Sequence, residues 1–136
     1  MHRKNIEVSG AIIIQNNKIF CAQRNSHGSL PLKWEFPGGK VEEGESHHTA
    51  LKRELIEELE IEVDMNEDIY MKVSHDYDFG TVHLTTIVCY LKGESPLLKE
   101  HHDSKWLPVE DLDKLDWAPA DIPIIEKLST ENLEAL

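Results

Sequence analysis

From Ile6 to Ile14 the chain is rich in β-branched residues and reads as a strand. Asn16-Asn17 marks a turn, and Ile19 to Gln23 reads as the returning strand. Asn25 to Lys33 is a polar loop carrying Gly28 and Pro31; a short Trp34-Glu35-Phe36 segment and then Pro37-Gly38-Gly39 follow it. At Ser46 the period changes. Leu51, Leu55 and Leu59 recur every fourth residue, which predicts a helix from Ser46, its N-cap, to about Leu59. Ile61-Glu62-Val63 restarts an extended pattern. Ile69 to Tyr77 and Val82 to Leu91 form a hairpin around Asp78-Phe79-Gly80, and Ser104 to Leu107 is a further short strand. Pro108 to Leu115 suits a short helix. Asp121 to about Leu128 suits a last one, with Pro123 tolerated in its first turn. The order β-β-loop-α-β-β-β-α predicts a mixed α/β sandwich (α+β), not a doubly wound parallel sheet.

The chain's 136 residues suit one domain, 1–136, without internal repeats. The formal charge of −12 excludes a general grip on polymeric nucleic acid, which needs a basic face, and argues against a membrane surface. A small anionic substrate stays compatible if a cation offsets the acid. Cys21 and Cys89 lie in apolar runs, too few and too far apart for a zinc knuckle or a disulfide framework, and read as buried thiols of a reducing compartment. No apolar stretch approaches the roughly 18 residues of a membrane span, and the first residues show no secretory core. The expectation is a cytoplasmic monomer or weak homodimer.

The informative chemistry lies in the helix carrying Arg53, Glu54, Glu57 and Glu58. At about 100° per residue, the three glutamates fall within an arc of about 100°, at the edge of the leucine stripe. Like charges at this spacing repel, and they sit late in the helix, where its dipole disfavours anions. Hard oxygen ligands gathered on one face suit Mg²⁺ or Mn²⁺. A solvated acidic face explains the helix alone equally well in a chain with 17 Glu.

The spacing goes further. Gly39, Glu45, Arg53-Glu54, Leu55 and Glu57-Glu58 stand at the intervals of the Nudix hydrolase pattern. Trp34-Glu35-Phe36-Pro37-Gly38-Gly39-Lys40 and Trp117-Ala118-Pro119-Ala120-Asp121-Ile122-Pro123 resemble the MutT-type branch. The likeness runs from the first strand to the last helix. It implies a mixed β-sheet sandwiched between helices, and metal-dependent hydrolysis of a nucleoside triphosphate to monophosphate and pyrophosphate. An 8-oxo-dGTP-like nucleotide is one expected substrate. A pyrimidine triphosphate such as CTP or dCTP, ADP-ribose or a dinucleoside polyphosphate is the alternative, and a nucleotide-binding module without activity a minor one. One position departs. Where the pattern has a glycine after the acidic pair, this chain has Glu60, so the helix should end at a cost of ~1 kcal/mol or end differently.

The resemblance further implies that Glu54, Glu57 and Glu58 ligate the divalent metal with the carbonyl of Gly38, and that Arg53, held by Glu45, orients the carboxylates. Glu100 is a further candidate ligand or general base, alongside Glu54. Arg24 stands where a cation near the substrate phosphates is expected, with Gly39 and Lys40 close by. Phe36 and Phe79 are candidates for the nucleobase pocket, Phe79 equally for the core. Trp34, Trp106 and Trp117 read as core. His47, His48, His101 and His102 read as solvent-facing. Asp121 replaces the Asn of the MutT type. An ionised Asp only accepts, so it suits a base edge with amino donors, as in guanine or cytosine; its alternative role is to cap the last helix.

Overall fold

The computed structural model describes residues 3–136. Strand β1 (Asn5–Gln15) and strand β2 (Lys18–Gln23) meet at a two-residue turn in which Asn16 and Asn17 both take positive φ, 51° and 60°. That is what a tight hairpin between right-twisted strands requires, and asparagine tolerates it. The two strands pair only at Ile14↔Ile19 and Gln15↔Lys18, then diverge. The wedge between them is filled by β3 (Trp34–Glu35), which pairs with β2, and β4 (Gly38–Lys40), which pairs with β1. These short strands were legible only as a segment and a glycine turn, because two or three residues cannot display an alternation.

After helix α1 (His47–Leu59) come β5 (Val63–Met65), β6 (Met71–Tyr77) and β7 (Gly80–Leu91). β7 runs parallel to β1 from Asn5↔Thr81 to Ile14↔Tyr90, and its other edge pairs antiparallel with β6 and β5. β8 (Asp103–Leu107) pairs with β2. The result is one mixed sheet, β3-β2-β1-β7-β5, with the remaining strands on its flanks. The stretch expected as a short helix after Ser104–Leu107 is a 3-10 turn, Val109–Lys114. Helix α2 (Ile122–Leu128) ends the main body, and a 3-10 turn at Leu133–Ala135 follows.

Alternation in the sheet divides the core in two. Ala11, Ile13, Phe20 and Ile87 pack on Leu51, Leu55 and Leu59 of α1. Ile12, Ile14, Ile19 and Val88 pack on Ile124, Ile125 and Leu128 of α2 together with Trp34 and Trp117. Trp106 is only partly buried, edge-on to Phe20. Each leucine buried in the α1 stripe contributes roughly 1.5–3 kcal/mol, so the helix cannot rotate without losing several such contacts. Cys21 and Cys89 are free and buried, and burial pushes both thiols up to about 12.

The start of α1 is tied down. Ser46 Oγ accepts the Thr49 N–H at 3.0 Å. His47 and His48, expected to face solvent, are instead half-buried: His47 Nδ1 lies 3.1 Å from Ser9 Oγ and His48 Nε2 2.9 Å from the Asn66 carbonyl. The helix end keeps the left-handed geometry that glycine normally supplies. Glu60 adopts φ 52°, its N–H donates to the Ile56 carbonyl, and its carboxylate pairs with Lys99 at 3.0 Å. Exposed pairs of this kind contribute little, whereas a left-handed non-glycine residue costs about 1 kcal/mol. Glu60→Gly should therefore raise the unfolding free energy by about 1 kcal/mol in urea denaturation. An unchanged or lower midpoint would show that the Lys99 contact outweighs the backbone strain.

Candidate active site

β4 lies antiparallel to β1 with Ser9 opposite Gly39 and Gly10 opposite Gly38, and α1 packs across this pair. A Cβ at Gly39 would overlap the Glu54 carboxylate, and one at Gly38 would overlap the Ser9 carbonyl. Both positions are glycine because a helix carboxylate and a neighbouring strand approach the backbone directly.

Arg53 organises the acids around it. Nε and Nη2 donate in a fork to Glu45 at 2.9 Å each, and Nη1 donates to Glu54 at 2.9 Å and to Glu57 at 3.5 Å. Nη2 also reaches the Lys40 carbonyl at 3.1 Å, tying α1 to β4. The fork holds the Glu45 carboxyl down at about 2 and raises the Arg53 guanidinium further above its ordinary range. Glu45 in turn accepts the Glu42 N–H at 2.9 Å.

Beside this network opens a cavity of about 770 Å³. Glu54, Glu58 and Glu100 line it together with Gly38, Gly39, Lys40 and Glu35. The Glu58 carboxyl is pushed up to about 9: burial is the largest cause, then the charges of Glu54, Glu35 and Glu100, and a hydrogen bond with Glu54. Glu58 thus carries negative neighbours with no cation bonded to it. Glu57 does not line the cavity; its side chain is 58% exposed and turned to Arg53. Among the described residues no three His, Cys, Asp or Glu side chains converge closely enough to hold an ion. The donor set nevertheless fits a hard divalent cation: carboxylate oxygens beside a backbone strand, with repulsion an ion would relieve.

Phe36, Tyr77, Phe79 and Asp121 line the same cavity. Phe36 is buried against Trp117, with ring centres 5.0 Å apart. Phe79 is not core: it is 43% exposed and stacks parallel on Tyr77 at 5.0 Å. Asp121 does not cap α2. It is 6% exposed, and its Oδ1 accepts the Phe36 N–H at 3.1 Å. Burial, reinforced by Glu35, raises its carboxyl well above the ordinary range. Burial thus favours the protonated form, which donates as well as accepts, over the purely accepting carboxylate.

Arg24 lines the same cavity but is committed to protein partners, Glu35 at 2.8 Å and the Ser29 carbonyl at 3.0 Å. His101 is the clearest departure from expectation. Its side chain is 5% exposed, and Nε2 lies 3.0 Å from Glu35 Oε2. His102 is exposed as expected. Glu35 and Tyr77 carried no signal of their own in the sequence: Glu35 sat inside a motif explained by its glycines, and Tyr77 at the end of an alternating strand.

The NUDIX domain model matches residues 5–128. A solution structure described as DNA mismatch repair protein MutT, family Nudix hydrolase, from methicillin-resistant Staphylococcus aureus 252 is 51% identical to the chain, with a TM-score of 0.78 over 95% of this chain and 98% of that one. The chain belongs to the NUDIX family. It is a Nudix hydrolase, an enzyme of a family generally dependent on divalent metal. Two curated relatives, both from Escherichia coli (strain K12), bracket the chemistry. The 8-oxo-dGTP diphosphatase is 36% identical over 88% of this chain and 92% of its own length. The CTP pyrophosphohydrolase is 38% identical over 90% of each. Among the described residues, no helix of this Nudix chain is long and apolar enough to cross a membrane.

Two outcomes follow from this geometry. A carboxyl raised in the folded state keeps a proton that the unfolded chain loses, so stability falls as pH rises from the ordinary 4.5 of Glu58 towards its raised value of about 9. In EDTA the melting temperature should be lower at pH 8.5 than at pH 6, and Mg²⁺ should raise it more at pH 8.5, since binding stabilises the ionised carboxylates. A Tm insensitive to Mg²⁺ at both pH values would refute a cation site here. Arg53→Lys keeps the charge but loses the fork to Glu45. We expect kcat to fall about 10-fold or more, with a smaller relative loss of thermal stability. A variant with wild-type kcat and a much lower Tm would assign Arg53 to structure alone.

Proposed function

We propose that this chain, acting as one domain, hydrolyses a free nucleoside triphosphate to nucleoside monophosphate and pyrophosphate. The observation that carries the reading is the meeting, in one cavity, of Glu54, Glu58 and Glu100 with aromatic Phe36, Tyr77 and Phe79 and buried Asp121. The acids suit a polyphosphate with its counter-ion, the aromatic rings a base. The acidic surface elsewhere gives polymeric nucleic acid nothing to hold, and two buried free thiols suit a reducing cytoplasm. The enzyme works as a monomer or weak homodimer.

Glu54, Glu57 and Glu58, with the Gly38 carbonyl and Glu100, are the residues that would hold Mg²⁺ or Mn²⁺, with Glu57 turning inward from Arg53. When bound, the ion neutralises phosphate charge and makes phosphorus more open to attack. Arg53, braced by Glu45, holds Glu54 in place. Glu54 or Glu100 takes a proton from the attacking water as its oxygen bonds to phosphorus and pyrophosphate leaves. Lys40 and the Gly39 backbone lie beside the carboxylates for phosphate contact, and Arg24 supplies a second positive charge on the cavity wall. Phe36 and Phe79 bracket the base.

Asp121 reads the base edge. Its Oδ1 is engaged by the Phe36 N–H, which leaves Oδ2 for the ligand. As a carboxylate it accepts from the amino groups of guanine or cytosine; as an acid it donates to a ring nitrogen or carbonyl. This supports both readings that the relatives suggest, an oxidised guanine nucleotide and a cytosine nucleotide.

Pyrophosphate release across dGTP, 8-oxo-dGTP, dCTP and dTTP, with Mg²⁺ and with EDTA, tests the proposal. Release in Mg²⁺ and none in EDTA is expected. Full activity in excess EDTA overturns the metal reading. Asp121→Asn should change the ratios of kcat/KM among the four by about 10-fold or more, the scale of one mismatched buried hydrogen bond. An equal change for all four would remove Asp121 from base recognition.

A further inference from the structure

Glu100 stands on an irregular stretch before β8, without a helix or strand to fix it. Its surroundings fix it instead. Asn25 Nδ2 donates to the Glu100 carbonyl at 3.3 Å, and the His102 N–H donates to the Gln23 carbonyl at 2.9 Å. Between these two anchors His101 turns inward and meets Glu35, whose other oxygen is held by Arg24 at 2.8 Å. A carboxylate oxygen only accepts, so His101 Nε2 carries the proton and donates to it. The ring's other nitrogen, Nδ1, is buried with no hydrogen-bond partner. Packing does not explain this residue, since an apolar ring of similar size would fill the space without stranding a polar atom. The Glu35 contact is what the histidine supplies.

We propose that His101 is a positioning residue: by hydrogen-bonding to Glu35 across the cavity wall it holds the adjacent Glu100 where that carboxylate can serve the hydrolysis. The inference rests on the function proposed above. Carboxylates that act on a reacting group must be held within about 0.5 Å, and an unstructured segment does that only through such struts. Glu35 is the natural anchor, because it sits on β3 inside the sheet and both its oxygens are occupied.

The test is a variant series at His101 measured for kcat, KM and Tm in Mg²⁺. His101→Phe should lower kcat about 10- to 100-fold with KM little changed. His101→Gln, whose amide N–H₂ reaches the place of Nε2, should recover most of that loss. His101→Asn, which reaches only the place of Nδ1, should not. The double variant His101→Phe with Glu100→Gln should have the kcat of Glu100→Gln alone, because a strut is worthless once its load is removed. Wild-type kcat in His101→Phe, or losses that multiply in the double variant, overturns the proposal. If His101→Phe does not fold, His101→Gln against His101→Asn decides: equal kcat in the two overturns it. A wild-type enzyme that released no pyrophosphate would refute the proposed reaction instead. In that case a crystal structure of His101→Asn still decides this inference, which falls if Glu100 keeps its position.

Discussion

Glu54 and Glu58 stand one turn apart on a helix whose Leu51, Leu55 and Leu59 stripe is locked into the core, so neither carboxylate can leave the other's field. Coulomb repulsion between them is opposed on one side only. Arg53 neutralises Glu54 from the direction of Glu45, while Glu58 faces Glu54, Glu35 and Glu100 and holds its proton far above the ordinary range. Much of the surrounding architecture serves to keep this unfavourable grouping in place. The glycines of β4 let the backbone approach Glu54, the wedge of β3 and β4 fits where β1 and β2 separate, and the Lys40 carbonyl accepts from Arg53. Ground-state repulsion at a fixed point is what a site for a small, hard cation looks like before the cation arrives.

The fold was legible where a period runs long enough to be read. β1 is a strand as its β-branched residues predict, though nothing in them announced its parallel pairing with β7. The leucine spacing of α1 predicted its inner face, and Ser46 its start. Illegible were β3 and β4, whose few residues owe their pairing to the divergence of two other strands. The 3-10 turn at Val109–Lys114 has the composition of a helix and differs only in its tighter hydrogen bonding.

The candidate site divides in the same way. Helical geometry placed the acids of α1 on one arc, which a solvated face explained equally well; the Nudix spacing singled them out together with the glycines before the helix. Glu57 shows the limit of that reasoning: it shares the arc, yet its side chain lies with Arg53 outside the cavity. Asp121, His101 and Glu35 are separated by 20 residues or more from one another and meet only through tertiary packing. A single sequence holds no periodicity that links them. Asp121 illustrates this most sharply. Its position before a helix suggested a cap, but its side chain makes no capping hydrogen bond and Oδ1 accepts the N–H of Phe36, far away in the sequence.

Burial of Asp121 and burial of Glu58 raise both carboxyls, but with different consequences. Glu58 lies among other acids, so a divalent cation held there would favour its ionised form by supplying positive charge. Asp121 is raised chiefly by desolvation, and its nearest bonded partner is a neutral backbone N–H. What alters Asp121 is the polarity of whatever fills the cavity beside Oδ2: an amino group favours the carboxylate, a carbonyl or bare ring nitrogen the acid. Under the function proposed above, a nucleotide's phosphates with their counter-ion would act on Glu58 and its base on Asp121.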